Sequence, residues 1–472
     1  MSTRAHEVQA RFAFTGRNAW LVVLAAAPLL VQWALKTRLW PRPFWIHFYD
    51  PETIYFYEGL RLLRGLSPQN VDHPGTPLQI LSAAVAFLTG PTPRHYEGFL
   101  LVAHGLIAFS LLAGTALLLA TLFREAAPIV KVVAVWTWAM LPGSLERVDV
   151  WSPESLYFVS GAVVLALLWK YLQTPALVWA VAVGVACGFA MGMKIVMIGV
   201  AAGVVIALIV QRRWGHAFVA ALSVAIGFGI ATLPAIMRWP HMLSRILALT
   251  GDPHWNDSTW TGLLGGAKGW LLWLIAVFVL AARGLRRHPA LIAFGVTVIA
   301  VTVLGNLKSP SPRHLLPHGI GVLALLAAGA PLSGSTIARR TLIGSAALAA
   351  LLTVKTMEND LATHRRRIAH GIQLRQRIHS ALPAGASVLW SWRVPEPSFA
   401  LRVMASTRED GRTASRLFPR NGFYDIWNGR IERPVLQDWN TLVIERKELP
   451  AFPEPLGRTL AEIDSYLIVA RK

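Results

Sequence analysis

The chain has 472 residues, 54% of them hydrophobic and only 15% charged, with a mean hydropathy of +0.48. That balance excludes an ordinary water-soluble globule, so length bounds a number of membrane spans rather than of soluble domains. The 45 basic residues against 25 acidic ones, +20 net, fit Lys and Arg in loops facing anionic headgroups, which sets nucleic acid aside as a partner.

The N-terminus, 1–17, carries Arg4, Arg11 and Arg17 ahead of an apolar run and shows no small-residue cleavage site before polar sequence. An uncleaved first span is therefore expected over 18–37. A loop, 38–97, follows; within it the apolar stretch 78–88 is too short to cross and reads as a helix lying at the interface. Further spans are expected at 98–123, 130–145, 155–171, 176–192, 195–210, 216–237, 262–282, 289–306, 314–331 and 341–357. The run 176–210 would overshoot a hydrocarbon core of about 30 Å at about 1.5 Å per residue, so it should turn back near 192–194. Its single cysteine, Cys187, permits no internal disulfide and no cysteine-based zinc site.

Alternate short loops hold Arg124 and Lys131, Lys170, Arg212 and Arg213, Arg283, Arg286 and Arg287, and Arg339 and Arg340. The positive-inside rule then puts the N-terminus in the cytoplasm and loop 38–97 outside, although that loop itself carries Lys36, Arg38, Arg42, Arg61, Arg64 and Arg94 near or within it. Trp40, Trp45, Trp151, Trp239 and Trp260 suit an aromatic belt at the outer surface. After Met357 the composition changes: a basic helix over 361–382, then short strands at 387–392, 441–445 and 466–470, predict a small α/β domain, 358–472, on the outer side. The expected fold is thus an all-α polytopic membrane protein of about 11 transmembrane helices, its membrane domain at 18–357, with a small extracytoplasmic α/β domain. Abundant Ala and Arg with few Lys favour a bacterial cytoplasmic membrane.

Two clusters read as helix starts: Asp50-Pro51-Glu52 and Ser152-Pro153-Glu154. Capping explains the residue types, since Asp and Ser are good N-caps, Pro suits the first turn and Glu complements the helix dipole. Their setting adds a functional reading. Tyr49, Tyr55, Phe56 and Tyr57 surround the first cluster with aromatics, and partial desolvation would raise a carboxylate's basicity and make Asp50 a usable general base. Asp149 stands close to Glu154 in sequence and either pairs with Arg147 or faces a ligand; two acidic clusters could also hold a divalent metal, though no spacing demands one. Lys194, Lys308, Arg313 and His314 oppose the positive-inside bias, either as side chains snorkelling to headgroups or as a clamp for phosphate. The turn Asp72-His73-Pro74-Gly75-Thr76-Pro77 is shaped by Gly and Pro, with Asp72 and His73 candidate acceptor contacts. No phosphate-binding glycine loop, nucleophile elbow or paired zinc histidines occur, and no cofactor is required.

Taken together these residues resemble the GT-C superfamily of polytopic membrane glycosyltransferases, in its protein O-mannosyltransferase and aminoarabinose transferase branch. Asp50-Pro51-Glu52-Thr53-Ile54-Tyr55 is similar to the acidic opening of that branch's first outer loop, and His73-Pro74-Gly75-Thr76-Pro77-Leu78 to its Pro-rich turn. Residues 142–154 resemble its second acidic loop, 188–194 its Gly-rich segment ending in Lys, and Arg313-His314-Leu315-Leu316-Pro317 its late Arg-aromatic-Leu-Leu-Pro element. The likeness covers 18–330. It departs where Pro51 separates the two acids and where His314 replaces an aromatic.

The resemblance implies transfer of a sugar, with inversion, from a polyprenyl-phosphate carrier to a glycan, lipid or protein acceptor at the outer face of the membrane. On that footing Asp50 takes the acceptor's proton, and Lys194 and Arg313, with Lys308 and His314, bind the lipid phosphate. Glu52, Tyr55, His73, Arg147, Asp149 and Glu154 then contact sugar or acceptor. A transporter or lipid flippase and a non-catalytic membrane scaffold are the competing classes; a transporter should show a duplicated half, and no repeat is visible.

Overall fold

The structure is a computed structural model that describes residues 19–46, 51–71, 75–249, 260–261, 268–307, 310–329, 336–391, 394–397, 421–425, 430–431, 439–452 and 454–472. Long apolar helices dominate it. They are α1 (Ala19–Ala34), extended by a π-helical turn to Leu39, α2 (Glu52–Leu63), α3 (Thr76–Thr89), α4 (Tyr96–Ala120) and α5 (Pro128–Met140). The short α6 (Ser144–Arg147) leads into α7 (Pro153–Gln173), α8 (Leu177–Met193), α9 (Ile198–Val210), α10 (Trp214–Ala231) and α11 (Trp239–Leu249). Then come α12 (Lys268–Gly284), α13 (Pro289–Gly305), the one-turn α14 (Pro312–Leu315), α15 (His318–Gly329) and α16 (Thr336–Ala381). Ala19–Leu39, Tyr96–Ala120, Pro153–Gln173 and Trp214–Ser244 are long and apolar enough to cross a bilayer by themselves, and several shorter apolar helices lie among them.

Most stretches expected to span fall on helices trimmed or extended by a few residues; 314–331 is divided between α14 and α15, 341–357 belongs to the much longer α16, and 262–267 and 330–331 lie outside the described residues. The turn expected at 192–194 is where α8 stops at Met193 and a 3-10 turn, Ile195–Met197, opens the next helix. Small residues let these helices approach closely. A Cβ on Gly188 would stand 2.4 Å from the Val224 carbonyl oxygen, and one on Gly227 2.6 Å from that of Val185, so α8 and α10 pack nearly backbone to backbone.

The helices at the start of the chain turn one face into the bundle; on α3, Leu78, Val85 and Ala86 are buried while Phe87 and Leu88 are exposed. Tyr55, Phe56 and Tyr57 on α2 are all buried, with the Phe56 and Phe99 rings 4.7 Å apart and Phe99 edge-on to Trp151 at 6.4 Å. Trp151, assigned by sequence to the interfacial belt, is fully buried, and its indole donates to Ser82 Oγ at 2.8 Å. An indole N–H inside a core needs an acceptor, and α3 supplies it.

The second departure concerns the end of the membrane bundle. The basic helix expected over 361–382 is the distal part of α16, a single helix of 46 residues and roughly 70 Å. A shift from apolar to charged side chains changes what a helix can face, not whether it continues, and no proline interrupts 336–381. Its far end enters the C-terminal domain. There Leu374 and Ile378 pack with Val388, Trp390, Val443 and Ile468 on one face of a six-stranded sheet. That sheet has the order β3-β2-β1-β4-β6-β5, from β1 (Val388–Ser391), β2 (Asn421–Asp425), β3 (Arg430–Ile431), β4 (Thr441–Glu445), β5 (Leu456–Ile463) and β6 (Tyr466–Arg471). β1 runs parallel to β2 and β4, while β5 and β6 form an antiparallel hairpin beside β4.

Candidate functional site

Glu154 occupies the first turn of α7, where Pro153 starts the helix as its sequence signature predicts. Its carboxylate accepts from the Lys194 ammonium, which the break between α8 and α9 delivers into the bundle. Both residues are 5% exposed. The guanidinium of Arg147 acts electrostatically on both, and that of Arg313 on Lys194. Four separate segments thus bring Arg147 and Arg313 within electrostatic range of the Lys194–Glu154 pair.

Loop packing explains how Arg313 arrives there. Gly143 holds φ +84, a left-handed conformation that favours glycine, and a Cβ at this position would stand 2.9 Å from Pro312 Cβ and 3.3 Å from the Arg313 nitrogen. The loop before α6 therefore lies directly on α14. Tyr157, one turn beyond Glu154, is fully buried and interacts electrostatically with Glu154, Tyr55 and Arg313. Among the described residues its hydroxyl finds no hydrogen-bond partner. A buried donor left open in this way marks a place for a ligand atom or water.

Tyr55 closes the same region from α2. Its hydroxyl lies against Gly75, where φ is +66 and a Cβ would come within 2.8 Å. Glu58, one turn on and also buried, accepts from the backbone N–H of Gln69 and Asn70 at 3.0 and 2.9 Å and from the Asn70 side chain at 2.6 Å. It anchors the segment that leads to the Pro-rich turn. Burial keeps the Glu58 carboxyl above its ordinary pKa in spite of these donors.

Glu52 is held in a second cluster. It is 1% exposed, ion-paired with Arg42, and bonded to His104 Nε2 and to the Trp151 N–H, each at 2.9 Å. Burial alone would raise its pKa; the Arg42 guanidinium, His104 and the Trp151 amide outweigh that and bring it down to about 2. Glu52 therefore stays ionised and fixes the segment before α2 to α4 and to the second acidic loop.

A third cluster lies alongside. Asp149 does not pair with Arg147: its carboxylate accepts from Lys36 Nζ at 3.1 Å, and the same ammonium reaches Asp360 at 2.6 Å. Asp360, on α16, also accepts from Gln32 Nε2 at 2.6 Å. Cavities of ≈ 390 and ≈ 410 Å³ flank this pair of carboxylates; Lys36, Arg42 and Asp149 line both.

Of the residues singled out by sequence, Glu154, Lys194, Arg147, Arg313 and Tyr55 gather around one region, while Glu52 and Asp149 are engaged in the neighbouring clusters. His314 is half-buried beside Arg313 on α14. Asp50, Asp72, His73 and Lys308 lie outside the described residues. Among the described residues no three His, Cys, Asp or Glu side chains come together as a metal site. Sequence reasoning missed Asp360, His104 and Tyr157 as site residues. The signal for Lys36 and Arg42 was available, because both broke the positive-inside pattern and so required buried anions.

No protein-family profile and no curated protein sequence matches the chain. Solved structures do. ArnT from Cupriavidus metallidurans bound to undecaprenyl phosphate superposes with a TM-score of 0.59 at 16% identity, covering 96% of this chain and 98% of that one. The same protein in the apo state gives 0.59 and 16% over 97% and 99%. The likeness runs through both the helical bundle and the C-terminal sheet. The chain has the same fold as ArnT, a bundle of apolar helices with a small C-terminal sheet domain.

Proposed function

We propose that the protein is an integral-membrane glycosyltransferase that moves a sugar from a polyprenyl-phosphate carrier to an acceptor at the outer face of a bacterial cytoplasmic membrane, inverting the anomeric carbon. The observation that carries this reading is the gathering of Arg147 and Arg313 about the buried Lys194–Glu154 pair in a bundle with this fold. Three cations beside one carboxylate leave positive charge uncompensated within the cluster, and a charged group inside a membrane protein calls for a counter-charge. A lipid phosphate supplies it and can be gripped by charge-assisted hydrogen bonds. The ArnT structure that contains undecaprenyl phosphate adds support from the same fold.

The reaction then divides simply. The acceptor hydroxyl attacks the anomeric carbon from the side opposite the phosphate and gives its proton to Asp50. The bond from anomeric carbon to phosphate oxygen breaks, and the electron pair leaves with the phosphate, a weak base that needs no strong general acid. Lys194 and Arg313 stabilise the charge gathering there, with Arg147, His314 and Lys308 completing the clamp. The open Tyr157 hydroxyl donates to a substrate oxygen, and Tyr55, His73, Glu154 and Asp149 orient sugar or acceptor.

The test is a transfer assay in membranes supplied with radiolabelled polyprenyl-phosphate sugars. Asp50→Asn should lower turnover by roughly 10²–10⁴ while leaving carrier binding intact. Wild-type turnover in that variant removes Asp50 from the mechanism, and uptake into sealed vesicles with no glycosidic product contradicts the transferase reading.

A further inference from the structure

Arg42 and Glu52 are ion-paired, so the chain from 43 to 51, which contains Asp50, forms a loop closed at its base. The first arm of that loop and the residues just before it are laid along α16. His364 Nε2 donates to the Trp40 carbonyl at 3.0 Å, and the Arg365 guanidinium stands 3.3 Å from the centre of the Trp40 ring. Ile46 is buried against Gly371, where a Cβ would come within 3.0 Å of its Cγ2. The Arg375 guanidinium then covers the Trp45 ring at 5.2 Å, within the usual reach of a cation–π contact. Positions 364, 371 and 375 recur at helical spacing, so these contacts share one face of α16.

The same helix is gripped by the C-terminal domain. Leu374 and Ile378 pack on the sheet, and that apolar contact docks the domain without any charge. Glu396 is a different kind of contact. It is 2% exposed, accepts from His379 Nε2, and pairs with Arg375 Nε at 3.3 Å. The His379 ring stands 5.6 Å from that of Trp390 on β1. Arg375 is thus held between a buried carboxylate of the domain and an indole of the loop. Burying a carboxylate is a poor way to add stability, since desolvation offsets much of the attraction. What the pair does supply is one fixed place for a guanidinium that would otherwise sample many rotamers.

We infer that Glu396, Arg375 and Trp45 are positioning residues for sugar transfer, through which the C-terminal domain fixes the loop that carries the proton acceptor. The inference rests on the transferase reading above and extends it to the role of that domain. The three residues act through Asp50, which follows Trp45 by five positions in the chain. Proton transfer needs base and hydroxyl within hydrogen-bond reach, and a misplacement of about 1 Å can slow a reaction by about a hundredfold. The flat guanidinium matters as much as its charge, because an ammonium cannot lie along an indole face in the same way.

Turnover is measured in membranes supplied with radiolabelled polyprenyl-phosphate sugars; undecaprenyl phosphate affinity and amide hydrogen exchange are measured on the full chain in nanodiscs. Glu396→Gln and Trp45→Ala should each lower kcat by about ten- to a hundredfold with carrier affinity unchanged. Glu396→Gln should also speed exchange of the Ile46 amide, which donates to the Pro43 carbonyl at 3.1 Å in the held loop. Independent roles would make the two losses multiply, whereas transmission through Arg375 leaves the double variant no slower than the slower single one. Arg375→Lys keeps a charge for Glu396 and loses the flat face for Trp45, so it should be as slow as Trp45→Ala. With 33% of its side chain exposed, Arg375 can be replaced without emptying a core, so this variant decides the matter if either of the others misfolds. Multiplying losses, wild-type kcat in Arg375→Lys, unchanged exchange at Ile46, or a matching loss of carrier affinity overturns the positioning role, while an active wild type leaves the transferase reading standing. A wild type that transfers no sugar overturns that reading and the inference with it.

Discussion

Lys194 and Glu154, 40 residues apart in sequence, share one ion pair with 6% and 4% of their side chains exposed. Lys194 breaks a pair of apolar helices and Glu154 starts another, so each is placed where helix ends meet. Removing one partner strands the other's charge. Lys194→Met should destabilise the protein by about 3–5 kcal/mol, whereas Lys194→Met with Glu154→Gln should recover most of that. Denaturant unfolding in detergent measures both. If the pair also serves the lipid phosphate, the double variant regains stability without regaining carrier binding; equal recovery of both would make the pair purely structural.

Glu52 provides a pH signature. Its folded pKa, about 2, lies below the ordinary 4.5, so its contribution to stability is complete above about pH 5 and is lost as pH falls towards 2. The difference corresponds to something on the order of 3 kcal/mol. Glu52→Gln should therefore be less stable than wild type at neutral pH and converge with it in acid. Unfolding curves recorded between pH 7 and pH 3 check this, and parallel pH profiles for the two proteins would contradict it.

Gly143 offers a way to move Arg313 without mutating it. Val at φ +84 is strained by about 1–3 kcal/mol, and its side chain would meet Pro312. Gly143→Val should weaken carrier binding by more than Gly75→Ala does, because only the former loop bears on α14. Isothermal titration of undecaprenyl phosphate into each variant compares them. Equal effects would separate the loop from the phosphate clamp.

Much of this was legible in the sequence because lipid imposes length and apolarity on every crossing helix. The break at Lys194 followed from a run too long for one span, and Pro153 at the head of α7 from ordinary capping rules. What stayed hidden was long-range pairing. Nothing local announces that Lys36 meets Asp360, 324 residues away, because that contact exists only once α1 and α16 are packed together. The acid between Asn359 and Leu361 looks like any solvated charge on a basic helix. The same limit applied to Trp151, whose burial depends on Ser82 and Phe99 from other helices. Strands β2, β3 and β5 escaped for a different reason: their short or mixed-polarity sequences lack the continuous apolar run that revealed β4 and β6.

The most direct test of the central claim is the affinity of the full-length protein in nanodiscs for undecaprenyl phosphate, in wild type and in Arg313→Gln. Arg313 is only half-buried, so its loss spares the Lys194–Glu154 pair and the fold. The account predicts saturable binding to wild type and a loss of about ten- to a hundredfold in the variant, the worth of a charge-assisted hydrogen bond. Undiminished affinity in Arg313→Gln, or a wild-type protein that does not retain the lipid, would contradict it.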